Sequence, residues 1–449
     1  MNKRILLINP WIYDFAAYDF WVKPLGLLYL ASLLRENGYE IRYIDCLDPY
    51  HPDVLREPHM KPPKRKSSGS GKFAREIISK PHQLSSIRKN YNRYGITPPI
   101  FLDELARMHR PDLIFVTSMM TYWYPGVIDT IQLTKRVYPD VPLVLGGHYV
   151  SLCEDHAIHN SGADLVVPGE GEKAISRILK MFFDELPRFL PDFSDLDTYP
   201  YPAFDLVRHA DQVPVITSRG CPFRCTYCAS HLVNDGFRKR DPMKVVDEIE
   251  FWNRTYGVRN FAFYDDALLV DAKNRAVPML KELLRRDVDC EFHCPNGLHL
   301  KEITEEISEL MYNSRFRTIR FGFETANVKR QRETGGKITN DEMKDAINHL
   351  RNAGYEQEEI GMYILCGLPG QTAGEIEASI DFVKSCGARP VIAEFSPIPG
   401  THLWNDAVSC SRYDLKNEPL FHNNTLLPCA NDMLTYEMYD RLKARTRSS

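Results

Sequence analysis

The chain has 449 residues, 43 % of them apolar, which is enough for two or three domains with ordinary buried cores. A net charge of −4 gives no general attraction to nucleic acid or to an anionic membrane, so neither is expected as a partner. The apolar start from Ile5 to Ile8 is too short for a signal peptide and no run approaches membrane-spanning length; the eleven cysteines are therefore expected as reduced thiols in a cytoplasm.

Residues 1 to about 180 alternate buried strands with amphipathic helices, the pattern of a parallel sheet covered on both faces. Strands are expected at Ile5 to Ile8, Glu40 to Ile44, Leu113 to Ser118, Leu143 to Leu145 and Asp164 to Val167. Pro24 opens a helix with the apolar stripe Leu27, Leu28, Leu30, Leu33 and Leu34, and Gly38 stops it. The order is Rossmann-like, and such sheets bind ligands beyond the carboxyl ends of their strands, where Asn9, Asp45, Ser118, Gly146 and Glu170 fall. No G-x-G-x-x-G follows a strand, so a dinucleotide is not favoured. About 50–99 reads as a flexible insertion, because it carries the basic, Ser- and Gly-rich run from Pro62 to Lys72. Residues 181–210, crowded with Pro and Asp, read as a linker.

From 211 to 400 the alternation resumes, with strands expected at Val213 to Thr217, Asn260 to Tyr264, Cys290 to His293, Thr318 to Gly322, Gly361 to Leu365 and Val391 to Phe395. Helices such as Pro242 to Tyr256 and Asp341 to Ala353 separate them, so the simplest closure is a partial (β/α)6 barrel with its chemistry at the carboxyl ends of the strands. Residues 401–449 are too few for a large core of their own and are expected as a C-terminal extension docked on the barrel.

Directly after the first barrel strand comes Ser218-Arg219-Gly220-Cys221-Pro222-Phe223-Arg224-Cys225-Thr226-Tyr227-Cys228. Three thiolates on one short loop suit an iron-sulfur cluster whose fourth iron has no protein ligand and is open to a cofactor or substrate. Structural zinc asks for four closed ligands, usually with a C-x2-C knuckle at each end, and is the weaker reading. Cys290 and Cys294 supply too few ligands for another cluster and are expected as buried packing residues; Cys410 and Cys429 are isolated and read as structural.

The loop resembles the signature of the radical S-adenosylmethionine (radical SAM) superfamily, C-x3-C-x-aromatic-C, with Tyr227 in the aromatic place. Phe263-Tyr264-Asp265-Asp266, Arg320 to Thr325, Gly367-Leu368-Pro369-Gly370-Gln371-Thr372 and Ser396 to Thr401 resemble its later strand ends. The resemblance implies that Cys221, Cys225 and Cys228 ligate a [4Fe-4S] cluster whose open iron chelates the amino and carboxylate groups of S-adenosylmethionine. The superfamily often shows a Gly-Gly-Glu-like turn for the cofactor's amino group. Here Asp266, with Asp265 next, takes that place, capping of the following helix being the other reading. Glu324 is expected at the ribose and Lys337 at the methionine carboxylate, with surface ion pairing as the alternative for each. Gly367, Pro369 and Gly370 are expected to shape a turn over the cofactor, and Ile398 to border the adenine.

Pro24 to Ala31, Val116-Thr117-Ser118, Gly146-Gly147-His148 and Gly169-Glu170-Gly171-Glu172 resemble the cobalamin (B12)-binding domain that one subgroup of the superfamily carries. Gly146 and Gly147 would let a large ligand approach the backbone, and Ser118 would hydrogen-bond its nucleotide tail. The D-x-H-x-x-G motif is absent after the first strand, so a histidine cobalt ligand from that loop is not expected, and His148 reads as a packing or hydrogen-bonding residue. The resemblance implies a methyltransferase acting on an unactivated carbon: cobalt takes a methyl group from one S-adenosylmethionine, and a second is cleaved to a 5′-deoxyadenosyl radical that abstracts substrate hydrogen. The alternatives are a cobalamin-dependent rearrangement or cyclisation and a cobalamin or iron-sulfur electron-transfer protein. The expected partners are a small-molecule or natural-product substrate and a low-potential electron donor such as flavodoxin or ferredoxin.

Overall fold

The computed structural model describes residues 3–210 and 212–447. Met1, Asn2, Asp211, Ser448 and Ser449, at the bounds of the expected domains, lie outside the described residues. The chain forms two compact units, Met1–Val213 and Pro214–Ser449.

In the first unit β1 (Arg4–Asn9), β2 (Glu40–Asp45), β3 (Leu113–Val116), β4 (Leu143–Gly146) and β5 (Leu165–Val167) form one sheet in the order β5-β4-β3-β1-β2. Every pairing is parallel. β1 has a neighbour on each side, and Ile5 to Ile8 are buried without alternation, as its unbroken apolar run requires. Helix α1 (Leu25–Glu36) buries Leu27, Leu30, Leu33 and Leu34 in the same cluster as Ile5, Leu7, Leu113 and Phe115. It stops at Gly38, whose φ of +86° lies in the left-handed region that glycine enters without strain. Helix α2 (Gly171–Phe183) follows β5.

The insertion differs from its expectation. Ile12–Asp14, Arg75–Ile77 and Asn92–Tyr94 make a small antiparallel sheet, and Lys64–Arg65 pairs with Gly71–Lys72. Phe73, Tyr91 and Tyr94 are at most 4 % exposed and anchor it. Its polar composition hides these anchors, which are spread thinly among Lys, Arg and Ser. The segment expected as a linker is strapped to α1: Ser32 Oγ donates to Tyr201 O (2.6 Å), Arg35 pairs with Asp205 (2.9 Å), and Asn37 Oδ1 accepts from the Arg188 N–H (2.6 Å).

The second sheet runs in sequence order through β6 (Gln212–Val215), β7 (Asn260–Phe263), β8 (Glu291–Leu298), β9 (Phe316–Glu324), β10 (Ile360–Cys366) and β11 (Arg389–Glu394). The pairs from β7 to β11 are parallel, and β6 and β11 do not pair with each other, so the barrel is partial. Helices α3 (Pro242–Tyr256), α4 (Ala276–Arg286), α5 (Glu305–Asn313), α6 (Asn340–Asn352) and α7 (Ala373–Ser385) connect successive strands. Asp241 caps α3 and Gly257 ends it at φ +70°; Thr339 and Glu342 close a capping box on α6. Beyond Thr401 the chain returns to the barrel: Leu415 and Cys429 bury with Leu365, Leu368 and Phe395, and the Ala373 N–H donates to Met433 O (2.9 Å). Among the described residues no helix is long and apolar enough to cross a membrane.

Candidate active site

Asp265 and Asp266 follow β7 and do different work. Asp265 is 5 % exposed and fully engaged: the Thr217 N–H donates to both of its oxygens at 3.0 Å, the Thr217 and Ser218 hydroxyls each donate to Oδ1 at 2.7 Å, and Arg275 stands 4.0 Å away. It therefore locks the end of β6 to the end of β7, immediately ahead of the cysteine loop. Burial raises its carboxyl pKa, against these hydrogen bonds and the Arg275 charge. Asp266 is exposed and accepts from Ser230 Oγ (2.5 Å) and Asn234 Nδ2 (3.5 Å), both on Oδ2. Neither aspartate caps a helix, because the next helical turn, Ala272–Asn274, has Asp271 before it.

Gly220 turns the chain into the cysteine loop at φ +79°, where a Cβ would come within 2.1 Å of Gly236 O. Gly335, at φ +137°, lets a second segment approach so closely that a Cβ there would stand 3.3 Å from Cys225 Cα and Sγ. Lys337 lies two residues on. Cys221, Cys225, Cys228, Asp266 and Lys337 line one cavity of about 400 Å³, together with Phe223, Pro295, Asn296, Gly297 and Tyr363. Burial pushes the Cys221 thiol up to about 11, against the Phe223 N–H and the Lys337 charge, and raises Cys228 likewise. Both thiols are thus protonated at neutral pH until a metal displaces the protons.

Among the described residues no three His, Cys, Asp or Glu side chains converge as ligands of a single ion. Three thiols spread over one cavity wall suit instead a cubane, which gives each thiolate an iron of its own. The donor set fits a cluster of that kind, and Asp266 and Lys337 offer opposite charges for an amino acid group beside it.

Glu324 ends β9 at φ +71°, a strained conformation for a non-glycine residue. Tyr227 Oη donates to its Oε1 at 2.6 Å, and Lys337 Nζ stands 3.9 Å from the same oxygen and 5.9 Å from the Tyr227 ring centroid. Burial raises the Glu324 pKa, against the Lys337 charge and the Tyr227 hydrogen bond. Burial pulls Lys337 down, but Glu324 and Cys225 outweigh it and leave its pKa raised. The aromatic of the cysteine signature is thereby tied to the end of the fourth barrel strand. Lys337 and Glu324 are largely buried, with side chains 22 % and 14 % exposed, and do not form a surface ion pair.

Gly367, Pro369 and Ile398 are not part of the cavity lining. Gly367 turns at φ +93°, and the turn is closed from beneath by fully buried Gln371, whose Oε1 accepts from the Gly367 and Leu368 N–H groups and whose Nε2 donates to Leu365 O. Cys294, on β8, and Cys290, just before it, are both buried.

Sequence reasoning missed Pro295, Asn296, Gly297 and Tyr363, which only strand register brings to the cavity. Tyr363 Oη donates to Pro295 O (2.8 Å), Asn296 Nδ2 reaches the carbonyls of Tyr264 and Asp265, and a Cβ at Gly297 would lie 3.1 Å from Gly322 N. It also missed His299. This imidazole is 7 % exposed, stacks on Phe223 at 4.5 Å and has neither ring nitrogen hydrogen-bonded. Burial, with the Lys337 charge adding to it, pushes its pKa down to about 4.

In the first unit, Gly147 sits at φ +102°, and a Cβ there would meet Ser118 O at 2.2 Å and Ser118 N at 2.6 Å. Ser118 Oγ donates to Gly146 O (2.7 Å), and the His148 N–H donates to Ser118 O (2.9 Å). Ser118, Gly146 and Gly147 thus form one tight constellation at the ends of β3 and β4, with Gly147 packed directly against the Ser118 backbone.

Residues 215–383 match the radical SAM superfamily, and residues 97–179 match the B12 binding domain. The chain belongs to the radical SAM superfamily, in the subgroup that also carries a B12-binding domain; the cofactors of that pairing are a [4Fe-4S] cluster, S-adenosylmethionine and cobalamin. The chain is 26 % identical over 418 residues to an uncharacterized methyltransferase, PH0819, of Pyrococcus horikoshii, spanning 86 % of this chain and 78 % of that protein. It is 22 % identical over 476 residues to cytidylyl-2-hydroxyethylphosphonate methyltransferase of Streptomyces wedmorensis, spanning 90 % and 82 %. With the anaerobic magnesium-protoporphyrin IX monomethyl ester cyclase of Rubrivivax gelatinosus it shares 23 % identity over 333 residues, spanning 66 % and 58 %. The fold is shared with the radical SAM methyltransferase TsrM of Kitasatospora setae, at a TM-score of 0.66 and 16 % identity over 91 % of this chain and 76 % of that one.

Proposed function

We propose that this protein is a cobalamin-dependent radical SAM methyltransferase acting on an unactivated carbon of a small molecule. The observation that carries the reading is the presence, in one chain, of a B12-binding domain and a three-cysteine radical SAM cavity. Methyltransferases related along most of the chain support it. When bound, the cobalamin supplies a methyl carrier and the cluster an electron for cleaving S-adenosylmethionine.

The protein's own residues bind and orient. Cys221, Cys225 and Cys228 would ligate the cluster. Asp266 would accept from the cofactor's ammonium, and Lys337 would donate to its carboxylate. Glu324, fixed by Tyr227, would accept from the ribose hydroxyls, while Gly367, Pro369 and Ile398 would border the nucleoside. Asp265 is a positioning residue, since every contact it makes serves the strand ends. Ser118, Gly146 and Gly147 would receive the cobalamin tail. A flavodoxin or ferredoxin would supply the electron, and the unpaired cysteines suit a reducing cytoplasm.

The relationship to the cyclase favours one second reading, radical cyclisation without methyl transfer. Turnover with methyl-deuterated S-adenosylmethionine tests the choice: transfer of the label to product supports methyl transfer, and 5′-deoxyadenosine with an unlabelled product supports cyclisation.

A further inference from the structure

Below the cavity, the barrel interior holds two arginines that no carboxylate serves among the described residues. Register places Arg320 of β9 beside Gly361 of β10, and Gly361 beside Arg389 of β11, so the three form one row across adjacent strands. The next row up is Gly322, Tyr363 and Val391, and Tyr363 lines the cavity. Gly361 is small for a reason: a Cβ there would come within 2.6 Å of Arg320 Cδ and 2.7 Å of Nη1, so the guanidinium lies across the glycine.

Arg320 spends only Nη1 on the protein, donating to Ile319 O (2.8 Å) and Glu359 O (3.2 Å). Arg389 Nε is buried without a hydrogen-bond partner. Burial and the neighbouring Arg389 charge push Arg320 down to about 10, and both arginines act on the Tyr363 phenol. Two guanidiniums sharing a half-buried row repel each other, and the buried Arg389 Nε–H has no acceptor. The arrangement stands in contrast to Arg240, another buried arginine of this unit, which pairs with Glu248 at 2.5 Å.

We propose that Arg320 and Arg389 bind the oxyanion group, a carboxylate or phosphate, of the substrate. An oxyanion between them would accept from both planar forks, the geometry for which arginine is suited. The row lies four residues below Glu324 along β9, about 13 Å at the rise of a strand. The anionic group would thus be anchored at the amino-terminal side of the cavity, and the reacting carbon would extend past Tyr363 toward the cysteine loop. This rests on the cavity being the radical site, but its test does not require turnover.

The full-length protein, reconstituted with cluster and cobalamin, is titrated with inorganic phosphate and, separately, with acetate, at ionic strength held constant with sodium chloride. Saturable binding by calorimetry or a rise in Tm is read. The proposal expects saturable binding of at least one anion, weakened about tenfold by Arg320→Gln and by Arg389→Gln, with cluster absorbance and S-adenosylmethionine affinity unchanged. Preference for phosphate identifies a phosphorylated or phosphonate substrate, and preference for acetate a carboxylate. Arg389→Lys, which keeps the charge and loses the fork, covers the case in which a glutamine variant does not fold, and should bind less tightly than wild type. Wild type responding to neither anion beyond sodium chloride, or binding undiminished in the variants, overturns the proposal. Failure of label transfer with anion binding intact would instead leave the arginines standing and remove only the methyltransferase reading.

Discussion

Adjacent aspartates at the end of β7 show how much a single position decides. Asp265 satisfies Thr217, Ser218 and Arg275 in a buried network, so Asp265→Ala should destabilise the barrel by roughly 3 kcal/mol, because those donors and the Arg275 charge lose their acceptor. Denaturant unfolding measures it. Asp266 faces the cavity, and Asp266→Ala should weaken S-adenosylmethionine binding about tenfold while the cluster still assembles; unchanged affinity would remove the residue from the cofactor site. Replacing Cys221, Cys225 and Cys228 together by alanine should abolish iron and sulfide incorporation, and retained iron would contradict the ligand assignment. His299 carries a pH dependence. Its pKa falls from 6.5 to about 4 on folding, so the unfolded chain binds its proton first. Stability is therefore complete above pH 6.5 and declines as pH falls toward 4, by roughly 3 kcal/mol for this residue. His293, likewise lowered to about 4 by burial, adds a parallel slope. His299→Phe should make the acid slope shallower in unfolding measured from pH 7 to pH 4; an unchanged slope would mean that the histidine does not titrate in this way.

At the scale of elements, the turn after β4 is the most sharply determined piece of the first unit. Gly147→Ala would drive a Cβ into the Ser118 backbone at a left-handed φ, and the full-length variant should lose cobalamin on gel filtration while keeping its cluster. Cobalamin retained at wild-type stoichiometry would place the ligand elsewhere. Strands such as Ile5 to Ile8 and Gly361 to Leu365 were legible in the sequence because each is a short apolar run soon followed by Pro or Gly. The insertion was not, because Phe73, Tyr91 and Tyr94 bury through contacts distant in sequence while the local composition is polar. The same limit applies to the cavity. Its thiols lie on one contiguous loop and could be read directly. Asn296, Gly297 and Tyr363 meet them only through the register of β8, β9 and β10, where irregular pairing between Cys294 and Leu298 turns the chain inward. Gln371 was visible as a residue of a turn, but its role in closing that turn depends on a burial that no local pattern encodes.

For the whole molecule, the chemistry depends on two units within one chain, a B12-binding domain and a radical SAM barrel. Methyl transfer to an unactivated carbon needs a methyl carrier and a hydrogen abstractor acting on one substrate, and it consumes two molecules of S-adenosylmethionine with different fates. Cyclisation consumes one fate only. The most direct measurement is therefore product analysis of the reconstituted enzyme turning over its substrate with methyl-deuterated S-adenosylmethionine and a low-potential reductant. Methyl transfer predicts S-adenosylhomocysteine, 5′-deoxyadenosine and a substrate carrying the deuterated methyl group, in equal amounts. 5′-Deoxyadenosine formed together with an unlabelled product and no S-adenosylhomocysteine would contradict it.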